Sequence, residues 1–383
     1  MARMRVYRSY PEALNEWRRL AVPEGALGRM DLATKQFFFI DGIAKDDAAP
    51  LLKAVQARGG RGFHCRGDRA LVALSPVGLE TMLNNGDVPQ MTEQLATALM
   101  NRMDEDAPAF EWSGGSLDLS RPKVMGILNV TPDSFSDGGR YLDAEFAVRR
   151  AQEMKDEGAD VIDIGGESTR PGSDPVPASE EWERIGAVVR RVSDEVGLPV
   201  SVDTRRPEVA SKALKAGASI VNDVSGLEPD MADVVARAGS GAIMMHMRGQ
   251  PSNMQTDTRY ADVVGDTYLF LERRMEQAVK AGVSQASIAV DPGLGFGKDL
   301  EGNLQIMSRL DEYRSLGRPV ILAASRKSFL GNITGGDAND RLEASLAAAA
   351  VACWQGVRLF RVHDVKETVR TVRAAYSMRA VQP

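Results

Sequence analysis

From Val124 onward the sequence repeats one pattern eight times: an apolar run of strand length, then a segment of helix length. The runs fall at 124–130, 160–166, 199–204, 219–224, 241–247, 287–291, 319–325 and 357–362. The helical segments fall at 143–157, 179–196, from Pro207, and at 229–238, 262–281, 300–316, 341–355 and 365–377. The first run, VMGILNV, is apolar at nearly every position rather than at alternate ones, as a parallel strand buried on both faces must be. Gly158, Gly217, Gly239 and Gly282 each fall just before a strand, where a left-handed residue ends the preceding helix. Eight units in about 255 residues predict a (β/α)8 TIM barrel, with an open doubly wound sheet as the alternative.

The 383 residues leave room for a second unit. Residues before Pro122 lack the alternation. They predict a strand near Val6, a helix over 11–20, a buried strand at 37–40 and a helix over 47–58 ended by Gly59-Gly60. Short strands around 62–65 and 70–74 and helices over 78–83 and 91–103 complete a small α+β unit. The stretch 113–123, with Gly114-Gly115 and Pro122, reads as a linker. The expected domains are therefore an α+β extension over 1–115 and a catalytic barrel over 122–383.

A net charge of −6 gives no overall basic field toward nucleic acid or an anionic membrane, so an anionic ligand must be held by local groups. Two cysteines, Cys65 and Cys353, exclude a disulfide framework and a Cys-rich zinc site and suggest a reducing, cytoplasmic location. The first residues lack the apolar core of a signal peptide, and the Ala-rich run 344–353 is too short to span a bilayer. His64 and Cys65 match no ligand spacing.

In a barrel the strand C-termini share one rim, so residues distant in sequence meet there. The eight strands bring Asn129; Asp163 with Glu167, Thr169 and Arg170; Asp203 and Thr204; Asn222 and Asp223; His246 and Arg248; Asp291; Ser325, Arg326 and Lys327; and Arg361, His363 and Asp364. Any one of these is as well explained as a helix N-cap, Asp203, Ser325 and Asp364 especially. A polar end on all eight strands is not. Asp163 and Asp203 also follow apolar strand residues, where an unpaired carboxylate is costly. Asp203, Asn222 and Asp291 offer what a planar ring with amino and N–H donors needs, and Lys327 offers a donor to a ring carbonyl or nitrogen. Arg361, His363 and Asn129 suit an anion, and Asn129 also suits a hard cation such as Mg²⁺. Three loops rich in Gly and Pro, 131–139, 168–172 and 293–297, are free to approach a ligand closely. No Ser-His-Asp or Cys-His nucleophile is present. The GLGFGK stretch after Asp291-Pro292 lacks the spacing of a phosphate-binding P-loop.

These segments resemble one family. GILNVTPDSFSDGG (126–139), DIGGESTRPGS (163–173), VDT (202–204), NDVSG (222–226), MHMRGQP (245–251), DPGLGFGK (291–298), SRKSFLG (325–331) and RVHD (361–364) are similar to dihydropteroate synthase, in that family's order. The resemblance implies a TIM barrel that joins 6-hydroxymethyl-7,8-dihydropterin diphosphate to 4-aminobenzoate with Mg²⁺. This is a step of folate synthesis and the target of sulfonamides. It implies that Asp203, Asn222, Asp291 and Lys327 hold the pterin, with Met245 packing on it and Asp163 at the rim. Asn129, Arg361 and His363 would hold the diphosphate and its Mg²⁺. Thr169, Arg170, Phe296 and Ser325 would border the aminobenzoate, and Asp133 would lie on a first loop that closes on the metal. A homodimer through the late helices is implied too. The first 120 or so residues depart from the typical bacterial enzyme.

The same barrel and pterin contacts would serve a methyltransferase domain that presents methyltetrahydrofolate to a corrinoid partner. That domain has no use for TPDSFSDGG, STRPG or RVHD. An inactive pterin-binding module would be expected to lose these loops first, and here they are intact.

Overall fold

The computed structural model describes residues 3–7, 35–65, 67–103, 108–130, 140–168, 175–335, 337 and 340–381. The chain forms two compact units, Met1–Asp104 with Asp311–Gly317, and Glu105–Leu310 with Arg318–Pro383.

The first unit carries an antiparallel sheet in the order β1-β2-β4-β3, from β1 (Arg3–Tyr7), β2 (Gln36–Asp41), β3 (Arg61–Cys65) and β4 (Arg69–Leu74). Three helices accompany it: α1 (Lys45–Ala57), α2 (Pro76–Asn85) and α3 (Pro89–Met103). Phe38, Ile40 and Val72 from the sheet share a buried core with Leu51, Val55 and Leu95 from the helices. Ser75 starts α2 by accepting a hydrogen bond from the Gly78 amide at 3.0 Å, and left-handed Gly86 ends it. The helix expected over 11–20 lies outside the described residues.

The second unit begins with a hairpin, β5 (Phe110–Trp112) and β6 (Gly115–Leu117). Eight strands follow: β7 (Lys123–Asn129), β8 (Val161–Gly165), β9 (Val200–Asp203), β10 (Ile220–Asp223), β11 (Gly241–Met245), β12 (Ile288–Asp291), β13 (Ile321–Leu322) and β14 (Leu359–Val362). They pair in parallel in the order β12-β11-β10-β9-β8-β7-β14-β13, and a parallel bridge between Val290 and Val320 joins the two ends. The sheet is therefore a closed barrel, and the doubly wound alternative is excluded. The helices after the strands are α4 (Arg140–Glu157), α5 (Ala178–Val196), α6 (Pro207–Lys215), α7 (Pro229–Ala238), α8 (Val263–Lys280), α9 (Leu300–Ser308), α10 (Ser328–Thr334), α11 (Leu342–Trp354) and α12 (Val365–Ala380).

Three details differ from the sequence reading. The stretch 113–123 is not a linker. Phe110 and Leu117 of the hairpin, with Leu119, form one buried cluster with Met125, Val161, Ile220 and Leu359, near the strand starts, so the hairpin plugs the bottom of the barrel. The helix expected over 300–316 stops at Ser308, and a 3-10 segment, Leu310–Leu316, follows. Finally, α10 lies where a loop was expected. Its seven residues span less than two turns, too short for a 3.6-residue period to register in the sequence, although Phe329 and Leu330 are buried.

Candidate active site

Strand register gathers the first polar groups. Asn129, Gly165, Asp203 and Asn222 stand side by side across β7, β8, β9 and β10. Gly165 leaves a gap in that row. A Cβ there would sit 3.4 Å from the Asp203 Cβ and 3.8 Å from the Asn129 Oδ1, in ordinary van der Waals contact with both side chains.

Arg361 of β14 reaches across to this row. Its Nε donates to Asp163 Oδ2 at 2.6 Å and an Nη to Asp203 Oδ2 at 2.7 Å. Asn222 Nδ2 also donates to Asp163 Oδ2, at 3.3 Å. The other carboxylate oxygens, Asp163 Oδ1 and Asp203 Oδ1, are buried and have no hydrogen-bond partner among the described residues. Two orphaned acceptors in one pocket are costly unless a donor arrives from outside. Burial pushes the Asp203 carboxyl up to about 7; Arg361 opposes that shift and Asp163 adds to it. Burial alone would lower the Arg361 guanidinium, but Asp163 and Asp203 hold it above its usual range.

A second group forms where β12 and β13 end. Asp291 is buried, in register with Met245 of β11, and its Oδ1 accepts from the Gly293 amide at 2.7 Å. Burial raises the Asp291 carboxyl, with Lys327 as the main opposing influence. The Lys327 ammonium donates to the Leu294 carbonyl and lies 4.6 Å from the centre of the Phe296 ring. Burial pulls it down to about 8, against the pull of Asp291. Beside it, Ser325 Oγ accepts from the His363 amide at 3.1 Å and lies 3.1 Å from His363 Nδ1. The hydroxyl can donate to that nitrogen or accept from it, so Ser325 fixes the ring's orientation through both contacts. Arg326, between Ser325 and Lys327, has a left-handed backbone (φ 56°), and its guanidinium forks onto Asp364 with Nε to Oδ2 at 2.9 Å.

Asn129, Asp163, Asp203, Asn222, Met245, Asp291, Phe296, Ser325, Lys327, Arg361 and His363 thus lie on the C-terminal rim of the barrel or the loops that leave it. Asp133, Thr169 and Arg170 lie outside the described residues. Other rim residues are occupied elsewhere. Asp223 braces its own loop through the Ser225 and Leu227 amides. Glu167 pairs with Arg206 at 2.6 Å and accepts from the Val176 amide at 3.0 Å, which draws together the two ends of the β8–α5 connection. Sequence reading passed over Arg205, Arg206, Glu181 and Lys298. The first two sit just before Pro207, past the strand end, and reach Glu167, with Arg206 also on Glu181; Lys298 closes the GLGFGK stretch, which lacks the spacing of a P-loop.

Among the described residues no group of three His, Cys, Asp or Glu side chains is placed to hold a metal. The amide oxygen of Asn129 beside Asp203 fits a hard cation that takes most of its oxygens from substrate and water, as Mg²⁺ commonly does with phosphates.

A closed eight-stranded barrel whose rim offers acceptors to a flat heterocycle and cations to an anion is built for a pterin, and residues 125–363 match the family model described as pterin binding enzyme. Within that class the dihydropteroate synthase of Escherichia coli K12 is 43% identical over 261 residues, 68% of this chain and 93% of the relative. The dihydropteroate synthase of Yersinia pestis in complex with a sulfonamide drug superposes with a TM-score of 0.68 at 41% identity, over 71% of this chain and all of the other. The Xanthomonas albilineans enzyme with 4-aminobenzoic acid gives 0.68 at 42% identity, over 72% of this chain and all of the other. The chain belongs to the dihydropteroate synthase family.

Proposed function

We propose that this chain joins 6-hydroxymethyl-7,8-dihydropterin diphosphate to 4-aminobenzoate, releasing 7,8-dihydropteroate and pyrophosphate. The observation that carries the reading is the pair of oxygens left without a partner among the described residues, Asp163 Oδ1 and Asp203 Oδ1, on two carboxylates whose Oδ2 atoms Arg361 bridges. Pterin N–H and amino donors complete these acceptors. Asn222, Asp291 and Lys327 hold the remaining ring edge, and Met245 packs on its face. Related structures support the choice of ligands: the Xanthomonas albilineans enzyme has been solved with 7,8-dihydropteroate.

The bond between the pterin methylene carbon and the diphosphate oxygen breaks as the aryl amine forms the new C–N bond. The amine's proton leaves to solvent or to the departing oxyanion. Arg361 and His363 receive the negative charge that builds on the leaving group. The dihydropterin ring stabilises the carbon from which it departs. A weakly basic aryl amine needs no strong general base, so the protein acts by positioning and charge. Thr169, Arg170, Phe296 and Ser325 border the aminobenzoate, the place where a sulfonamide would compete, and Asp133 belongs to the first loop. Bound Mg²⁺ would neutralise diphosphate charge, with Asn129 as its protein ligand.

Leu300, Leu304, Ile333, Val351 and Trp354 are exposed apolar residues on α9, α10 and α11, which pack on one another. They support a homodimer through this face. Two buried free cysteines suit a reducing cytoplasm, and no described helix is long and apolar enough to cross a membrane. The N-terminal unit is read as dispensable for the chemistry.

The test is pyrophosphate release by purified protein given the pterin diphosphate, 4-aminobenzoate and Mg²⁺. Release that needs all three supports the reading; none, from folded protein, sinks it.

A further inference from the structure

Lys298 is a buried cation with no part in the reaction above. Only 3% of it is exposed. Its Nζ lies 3.0 Å from His246 Nδ1 and donates to the Gly293 carbonyl at 2.8 Å and the Phe296 carbonyl at 3.0 Å. The His246 carbonyl lies farther off, at 3.5 Å, and an ammonium, which only donates, meets Nδ1 as an acceptor. Burial pulls this ammonium down to about 7, so holding a charge there is costly.

The loop it serves is held at its amides by Asp291 on Gly293, Asn303 on Gly295 and the Gly293 carbonyl on Phe296. Gly293, Gly295 and Gly297 all take left-handed backbone conformations. Each carbonyl from Gly293 to Gly297 nevertheless has a side-chain donor. Lys298 serves Gly293 and Phe296, Lys327 serves Leu294, Gln255 serves Gly295 at 3.0 Å, and the Tyr260 hydroxyl serves Gly297 at 2.9 Å. Lys298 alone binds two points of the loop and also the end of β11, through His246. Between those two points lie the Leu294 carbonyl, which receives the Lys327 ammonium, and the Gly295 turn. The Phe296 ring beneath Lys327 hangs from the second point.

We propose that Lys298 is a positioning residue for Lys327. From inside the loop it fixes the carbonyl and the ring between which that ammonium is held, and through them the affinity for the pterin ring. This rests on the reading of Lys327 as a pterin contact.

The experiment is a double-mutant cycle on the full chain with Lys298→Met, Lys327→Met and the double variant. Calorimetry reads binding of a pterin lacking the diphosphate, and separately of pyrophosphate with Mg²⁺. Lys298→Met is expected to weaken pterin binding roughly ten- to a hundredfold while pyrophosphate binding stays near wild type. In the Lys327→Met background it should have little further effect on the pterin. Additive losses, equal losses for both ligands, or a lowered melting temperature with unchanged pterin affinity would each overturn the proposal. Should Lys298→Met fail to fold, Lys298→Arg takes its place in the cycle with the same criteria. Wild-type protein that binds no pterin would instead overturn the parent reading.

Discussion

Arg361 and Asp203 form an ion pair 2.7 Å long between the last and the third strands of the barrel, and the same guanidinium holds Asp163 of the second strand at 2.6 Å. The residue assigned to the anion is thus also the counter-ion of the carboxylates assigned to the ring. Removing it strands two buried charges. Arg361→Gln is expected to cost about 3–5 kcal/mol of stability at neutral pH. Turnover should fall by about two to three orders of magnitude through the lost leaving-group contact. Urea unfolding and steady-state rates would show both; a stable variant with near-normal turnover would contradict the assigned role.

The same arrangement predicts a bell-shaped pH dependence of pterin binding. Asp203, with its carboxyl raised to about 7, accepts from the ring most strongly when ionised, so affinity should fall as pH drops below about 7. Lys327, lowered to about 8, donates as a cation only below that pH, so affinity should also fall above it. For the empty protein the sign for Asp203 is opposite. A carboxyl raised on folding adds stability that is fully present below its ordinary value near 4 and is lost as pH rises through about 7. The rise in melting temperature on adding a pterin should therefore be larger at pH 7.5 than at pH 5.5 (about half a unit above and one and a half units below the Asp203 midpoint). A shift of constant size across that range would rule Asp203 out as the titrating contact.

Two glycines on the rim should behave differently when replaced by alanine. At Gly165 the new methyl meets Asp203 and Asn129 at ordinary contact distances, so the fold should hold while the space between those side chains fills. The expectation is a Michaelis constant for the pterin diphosphate raised about tenfold, with stability changed by less than about 1 kcal/mol. At Gly293 the backbone is left-handed and a Cβ would lie 1.8 Å from the His246 carbonyl oxygen. That variant should lose more than about 2 kcal/mol, because neither backbone can yield. Thermal melts and kinetics on the pair would separate the two effects.

The barrel was legible because its signal repeats. Eight strands, each with polar residues at or just past its C-terminal end, constrain one another more than any one does alone. Individual roles were harder to read. Asp163, Asp203 and Arg361 were each visible as strand-end residues, but not their contact, since 198 residues separate Arg361 from Asp163 and only closure of the sheet brings them together. Asp223 and Asn222 are adjacent in sequence, yet one braces a loop and the other faces Asp163, a difference set by the alternation of side chains along β10. Lys298 was hidden because its partners are mostly backbone carbonyls, which carry no residue-specific signal.

The barrel's bottom gives a prediction about where the chain can be cut. A chain beginning at residue 105 keeps Phe110, Leu117 and Leu119, which are buried among the strand starts. It is expected to fold and, if the N-terminal unit is dispensable, to turn over. A chain beginning at Ser120 loses all three. Each such side chain contributes about 1.5–3 kcal/mol when buried, so their joint loss is comparable to the whole stability of a typical domain. Circular dichroism melts of the two chains, with turnover of the longer, test both halves. A folded, active shorter chain would show that the hairpin is only ornamental packing, and an inactive but folded longer one would give the N-terminal unit a part in the site or its assembly.

Asn129 gives the last prediction. It stands beside the Gly165 gap, in register with Asp203 across that glycine, where a cation bridging it to the diphosphate would sit. If Asn129 ligates Mg²⁺, adding the metal should tighten pyrophosphate binding in the wild type, and Asn129→Ala should remove most of that gain. Binding of a pterin without diphosphate should change little, since its acceptors on Asp163 and Asp203 remain. Replacing one neutral oxygen ligand leaves the metal its phosphate and water ligands, so the expected loss is on the order of ten- to a hundredfold rather than complete. Titrating pyrophosphate by calorimetry at matched ionic strength, with and without Mg²⁺, isolates the effect from general screening. An equal Mg²⁺-linked gain in both proteins would place the metal on other groups and leave Asn129 a contact to the substrate alone.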